Sequence, residues 1–148
     1  MRYVLILAAV LSLLGCTKHD PGTTLSSLER LQGQWVVVNY WAQWCTPCIK
    51  EIPELNRLDQ DYTGVTVVGV NYDGTNGEEL ELQRQKLGVA FASLEADPAA
   101  ELGIPRPVVL PTTLILDPTG RLVATLVGPQ TLSSLAQATQ QELKEKSL

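Results

Sequence analysis

The sequence predicts an α/β fold: a mixed central sheet with helices on both faces. Two observations carry that expectation. Runs rich in β-branched and aromatic residues alternate with runs whose apolar residues recur every three or four positions, the pattern of strand, helix, strand units with a parallel sheet. Farther on, two apolar runs are joined by Asp117-Pro118-Thr119-Gly120, a tight-turn sequence that adds a hairpin and so makes the sheet mixed. The chain has 148 residues, 45% of them hydrophobic, which is enough for one packed core without help from structural disulfides.

Residues 1–16 read as a signal peptide: Arg2 precedes the apolar run Tyr3 to Leu14, which stops at Gly15-Cys16. That run suits the roughly 7 to 15 apolar residues of an export signal better than the roughly 20 needed to cross a bilayer as a helix. Residues 17–25 are almost devoid of apolar side chains and read as a flexible tether, with His19, the one histidine of the chain, inside it. The folded domain is expected over 26–148. Gln34 to Trp41 (QWVVVNYW) is apolar on both faces, as a central strand covered by helices would be. Ile49, Ile52, Leu55, Leu58 and Tyr62 mark one face of a helix, in which Pro53 predicts a kink. Val65 to Asn71 (VTVVGVN) is a second strand and completes a right-handed crossover.

After the polar loop Asp73 to Gly77, Asn76 is expected to cap a helix with Glu78 and Glu79 in its first turn and Gly88 just past its end. Within 90–106 the pattern gives a short apolar piece at Phe91 to Leu94 and a turn of helix at Pro98 to Leu102, and leaves the rest open. Thr112 to Leu116 and Arg121 to Val127 form the hairpin. From Thr131 a terminal helix should pack Leu132, Leu135, Ala138 and Leu143 on the sheet, with Glu142 to Lys146 fraying.

The formal charge of −5 is spread along the chain and nothing forms a basic footprint, which excludes nucleic acid as a partner. The chemistry concentrates at Trp44-Cys45-Thr46-Pro47-Cys48, where two cysteines separated by two residues at a strand-to-helix junction can close and open a small disulfide. Cys45 falls at the helix N-terminus, where free amides and the helix dipole favour its thiolate; Cys48, one turn later, should be buried and less reactive. Pro47 suits the first helical turn because its missing amide costs little there. A zinc site would need more ligands than the remaining Cys16 and His19 can bring, and a bridge closing so short a loop would constrain the unfolded chain little. The sequence therefore predicts no metal and no cofactor.

VVVNYWAQWCTPC, followed by Pro53 and later by Leu110-Pro111-Thr112 leading into a strand, resembles the thioredoxin superfamily, and within it the TlpA-like branch of membrane-tethered extracytoplasmic reductases. The resemblance covers about Ser26 to Leu143. It implies a thioredoxin-like fold and a protein-disulfide reductase with Cys45 as attacking thiol, Cys48 as resolving thiol, Trp44 beside them and Pro111 as the cis-proline opposite the dithiol. Independently, a proline just before a strand can adopt cis at modest cost and opens the backbone for pairing with an extended substrate. Substrate contacts are expected from Trp44, Thr46, Pro47, Leu110 and Pro111.

Thioredoxins carry a buried aspartate where this chain has Asn39, whereas Glu51 matches the glutamate that TlpA-like proteins place near the dithiol; if buried, it could move the proton of Cys48. The N-terminal hairpin usual in that branch should be shortened or missing. Leu13-Leu14-Gly15-Cys16 resembles a bacterial lipobox, which implies lipidation of Cys16 and a lipid anchor at the periplasmic face of a membrane. The implied partners are disulfide-containing exported proteins and a membrane thiol donor as reductant. A copper-handling or redox-sensing module using the dithiol as a soft ligand pair is the alternative, disfavoured because no histidine follows His19.

Overall fold

The structure is a computed structural model, and it describes residues 24–25 and 28–143. The expected signal peptide, the lipobox Cys16 and almost all of the tether lie outside the described residues. Six strands form one sheet in the order β1-β4-β3-β2-β5-β6: β1 (Thr24–Leu25), β2 (Trp35–Trp41), β3 (Val65–Asn71), β4 (Ala92–Leu94), β5 (Thr112–Leu116) and β6 (Leu122–Val127). β2 pairs in parallel with β3 along its whole length, from Trp35 with Val65 to Trp41 with Asn71, and antiparallel with β5 on its other edge. The sheet is therefore mixed, as expected, and β2 is its centre. Among the described residues, the N-terminal pairing is that of the two residues of β1, parallel to β4.

Every residue of β2 after Trp35 is buried, and its side chains divide between two cores. Val37 and Trp41 face α1 (Thr46–Asp61), α2 (Gly77–Leu87) and α3 (Leu132–Ala138), through Ile52, Leu55 and Leu58 of α1, Leu80 of α2 and Leu132, Leu135 and Ala136 of α3. Val36, Val38 and Tyr40 face the opposite side, where the 3-10 turn Leu28–Leu31 and the turns over 98–103 supply Leu28, Leu31 and Leu102. Helical cover is thus uneven: the three α-helices share one face and short turns close the other. The period-2 alternation of β2 is what lets one strand serve both cores.

Several expectations shift in detail. α1 begins at Thr46, one residue after its cysteine cap, and runs on through Pro53. α2 has Glu78 and Glu79 in its first turn and ends on Gly88 in the left-handed region at φ 72°, but the Asn76 side chain makes no capping bond. Asn71 organises that loop instead: its Oδ1 accepts from the Thr75 amide at 3.1 Å and its Nδ2 donates to Gln83 at 3.0 Å. The terminal helix is shorter than its pattern suggested. After Ala138 the chain turns through Gln140 at φ 54°, with the Gln141 amide donating back to the Ala136 carbonyl at 2.8 Å. Leu143 consequently lies beyond the helix and is exposed rather than packed on the sheet.

Gly69, in the middle of β3, is a packing requirement. A Cβ there would stand 2.8 Å from Trp41 Nε1 and 2.9 Å from Phe91 Cε2, and both rings are fully buried. Gly69→Ala should therefore lower the stability of the oxidised protein by about 1–3 kcal/mol, the usual cost of overpacking a filled core. The check is the urea midpoint at an unchanged slope; a midpoint equal to wild type would show that the rings move aside freely.

Candidate active site

The site begins where β2 ends. The Cys45 amide donates to the Ala42 carbonyl at 3.1 Å, closing the turn between strand and helix, and Cys45 itself takes the N-cap position of α1 in extended backbone. Its Sγ accepts from the Cys48 amide at 3.3 Å, and no acidic residue stands in the first helical turn. Free amides and the positive end of the helix dipole thus converge on one sulfur without an opposing charge. Pro47 occupies the first turn, where a missing amide leaves no bond unmade. Cys45 and Cys48 are joined as a disulfide, with Sγ–Sγ 2.04 Å and Cα–Cα 5.3 Å. Both cysteines are largely covered, the exposed fraction of the residue being 4% at Cys45 and 1% at Cys48.

A groove of about 530 Å³ opens beside Cys45 and is lined by Trp44, Thr46, Pro47, Tyr72 and the run Val108-Val109-Leu110. Its rim is apolar and uncovered: Trp44 is 62% exposed and Val108 88%. Leu110 leads into Pro111 through a cis peptide bond, and Pro111 precedes β5 directly. The structure therefore brings Trp44, Cys45, Thr46, Pro47 and Leu110 together around one groove, with Pro111 adjacent in the chain.

Polar pairs fix both walls of that groove. On one side the Trp44 indole donates to the Asp73 carboxylate, at 2.9 and 3.1 Å to its two oxygens. On the other, Arg106 donates through Nε to Asp97 at 2.7 Å and through its terminal nitrogen to the Tyr72 carbonyl, while its guanidinium lies 3.9 Å from the Tyr72 ring centre. Asp97 also accepts from the Tyr40 hydroxyl at 2.7 Å. Burial alone would raise the Asp97 carboxyl, yet the bonds from Tyr40, the Ala99 amide and Arg106 together hold it below the ordinary aspartate range. Tyr40 moves the other way: its own burial, and then the charge of Asp97, push its hydroxyl far above the usual tyrosine range. Sequence reasoning singled out none of Asp73, Asp97, Arg106 or Val108 for the site. They belong to loops, and side chains that meet across loops leave no periodic signal.

Glu51 lies on the buried face of α1, one turn beyond Cys48, and is 2% exposed. Its Oε1 accepts from Asn39 Nδ2 and its Oε2 from the Gln130 amide, each at 2.7 Å. Burial pushes its carboxyl above the ordinary glutamate range, while the Gln130 and Asn39 bonds pull it part of the way back. Among the described residues, no three His, Cys, Asp or Glu side chains are grouped to hold a metal ion.

The chain matches the model of the AhpC/TSA family over residues 15–125. It is 35% identical over 100 residues to the thiol:disulfide interchange protein HelX of Rhodobacter capsulatus, covering 67% of this chain and 55% of that protein. It is 37% identical over 111 residues to the thiol:disulfide interchange protein DsbE of Allochromatium vinosum, covering 74% of this chain and 60% of that one. The match thus spans a little over half the length of these curated relatives. Among solved structures, a DsbF homologue from Corynebacterium diphtheriae superposes with a TM-score of 0.65 at 27% identity, covering 76% of this chain and 74% of the other. A strand-to-helix dithiol, the mixed sheet around it and these likenesses agree, and the chain belongs to the AhpC/TSA family, as a TlpA-like member of the thioredoxin superfamily.

Proposed function

We propose that this protein is an extracytoplasmic thiol:disulfide oxidoreductase that reduces disulfides of exported proteins through Cys45 and Cys48. The observation that carries the reading is the Cys45–Cys48 disulfide at the N-terminus of α1, beside a groove with an apolar rim. The names of the similar proteins, thiol:disulfide interchange proteins, support the same chemistry.

The cycle starts from the reduced dithiol. The Cys45 thiolate, favoured by the Cys48 amide and the helix dipole, attacks one sulfur of a substrate disulfide. The substrate S–S bond breaks, a bond to Cys45 forms, and the leaving thiolate takes a proton. Cys48 then gives up its proton and attacks Cys45 Sγ, which releases the second substrate thiol and leaves the enzyme as the disulfide. Two electrons have passed to the substrate, and a thiol donor must restore the dithiol. Glu51, a buried carboxyl one turn from Cys48, is the base in the second attack. Trp44, Thr46, Pro47 and Leu110 hold the substrate in the groove, and Pro111, next in the chain after Leu110, shapes that wall through its cis peptide bond. The apolar run of residues 3–14 ending at Gly15-Cys16 supports export, lipidation at Cys16 and a lipid anchor, with residues 17–25 as tether and a membrane thiol protein as the electron donor.

Equilibration of the full chain in thiol redox buffers, with alkylation of free thiols, should give a reversible two-electron transition near ~ −270 mV, in the reductase range, rather than near ~ −120 mV. Cys48→Ser should accumulate a mixed disulfide with substrate, because the resolving attack is lost, whereas Cys45→Ser should form none. An absence of any reversible transition would sink the redox reading.

Glu51 also makes stability depend on pH in a defined direction. Its folded carboxyl holds its proton above the pH at which the unfolded chain releases it, so the folded state binds more protons across that window and stability falls as pH rises through it. Glu51→Gln removes this contribution. The slope of unfolding free energy against pH, from the ordinary glutamate range upward, should be shallower in Glu51→Gln than in wild type; parallel slopes would mean that the carboxyl is not held protonated by the fold.

A further inference from the structure

Asn39 sits in the centre of β2, fully buried, with its side chain between the active-site helix and β5. Its Nδ2 donates both hydrogens, one to Glu51 Oε1 at 2.7 Å and one to Thr113 Oγ1 at 3.1 Å. Its Oδ1 is buried without a partner. An unpartnered buried acceptor on a side chain that is otherwise fully engaged asks for an explanation, because leaving it unbonded costs free energy.

The two bonds at Glu51 are those that an ionised carboxylate accepts. Both neighbours of that carboxylate, Asn39 Nδ2 and the Gln130 amide, are donors, so a protonated Glu51, whose oxygens can still accept, finds in neither of them an acceptor for its own hydrogen. The Gln130 amide is fixed in the backbone. The Asn39 amide can turn over about its terminal torsion and bring Oδ1 to the place now held by Nδ2. There its two lone pairs meet the Glu51 O–H and the Thr113 O–H, and Nδ2 takes the place of the unpartnered oxygen. Each orientation makes two bonds and leaves one amide end unbonded. An aspartate or an apolar residue at this position could not exchange donor for acceptor in this way.

We propose that Asn39 is a positioning residue whose amide turns over with the protonation state of Glu51, so that this carboxyl can take the Cys48 proton and release it again. The proposal rests on the redox reading above. The surroundings of Glu51 isolate the effect. From β2 it meets Asn39, itself bonded to Thr113 of β5, and from the loop before α3 the Gln130 amide, and none of these carries charge. On α1, Cys48 lies one turn before it, Glu54 one turn after it is bonded to the Leu132 amide at 2.8 Å, and Lys50 is exposed to solvent.

The test begins with the wild type, with Glu51→Gln used for assignment alone. In the oxidised full chain, the carbon-13 carboxyl resonance of Glu51, assigned by its loss in Glu51→Gln, and the side-chain NH₂ resonances of Asn39 are followed against pH. Both should move with the same midpoint. In Asn39→Leu, which deletes the donor and keeps the volume, the proton affinity of Glu51 should rise about tenfold or more, the equivalent of one hydrogen bond to a charged group. Asn39→Asp should split the titration into two coupled steps, and it decides the matter if the leucine variant fails to fold. The pH at which mixed disulfides resolve should rise in Asn39→Leu with the Glu51 midpoint. A silent Asn39 amide, or a Glu51 midpoint unchanged in a cooperatively folded variant, overturns the proposal. A wild type that reduces no disulfide would instead overturn the redox reading while leaving the paired midpoints intact.

Discussion

The position of one sulfur depends on a strand that has no freedom. β2 is hydrogen-bonded along both edges, to β3 and to β5, and its side chains are locked into cores on both faces. A strand satisfied on four sides ends at a fixed point, and the turn closed by the Cys45 amide on the Ala42 carbonyl delivers Cys45 to the start of α1. The site then forms at the carboxyl end of a parallel strand, where loops diverge and leave a crevice. The dithiol is reached from that crevice, yet its backbone belongs to the most buried part of the molecule. This combination suits an exchange reaction, in which the nucleophile must recover its geometry after each covalent step.

Polar groups around the site sort by depth. Near the surface, Asp73 with Trp44 and Asp97 with Arg106 hold groove walls that are partly wet, and pairs of that kind contribute little to global stability while still fixing side-chain geometry. In the interior, Glu51 is held by just two donors, and burial works against its charge. A carboxyl kept in that condition holds its proton more tightly than an exposed glutamate, whereas the Asp97 carboxyl, with donors outweighing burial, is held below the ordinary aspartate range. The two acids lie on opposite faces of the sheet's central region and differ in chemistry because their surroundings differ.

The parts of the fold legible in the sequence were those set by local periodicity. β2 and β3 declared themselves through β-branched runs, α1 through the spacing of Ile52, Leu55 and Leu58, and α2 through Gly88 at its end. The end of α3 was not legible because it is made by Gln140 in the left-handed region, where glycine is the usual signal. The segment before Pro111 was opaque for a different reason. Its backbone is irregular and is held by contacts distant in sequence, such as Tyr40 with Asp97 and Arg106 with the Tyr72 carbonyl. The dithiol and its place on the helix could be read from five residues. The groove beside it could not, since Asp73, Tyr72 and Val108 become neighbours of Trp44 and Cys45 by topology alone.

Asn39 shows how a single residue type can set the chemistry of such a site. An aspartate there would place a second carboxylate 2.7 Å from the first, the distance now spanned by the Asn39 to Glu51 bond. Two like charges so close do not readily both ionise in a buried setting, and the pair would lose its protons in two coupled steps. An apolar residue would leave Glu51 with one donor and favour its neutral form. An amide avoids both outcomes, because it donates or accepts according to its orientation and never changes charge. The result is one titrating group on the helix that carries the resolving cysteine, with its proton affinity adjusted by a neutral partner on the central strand.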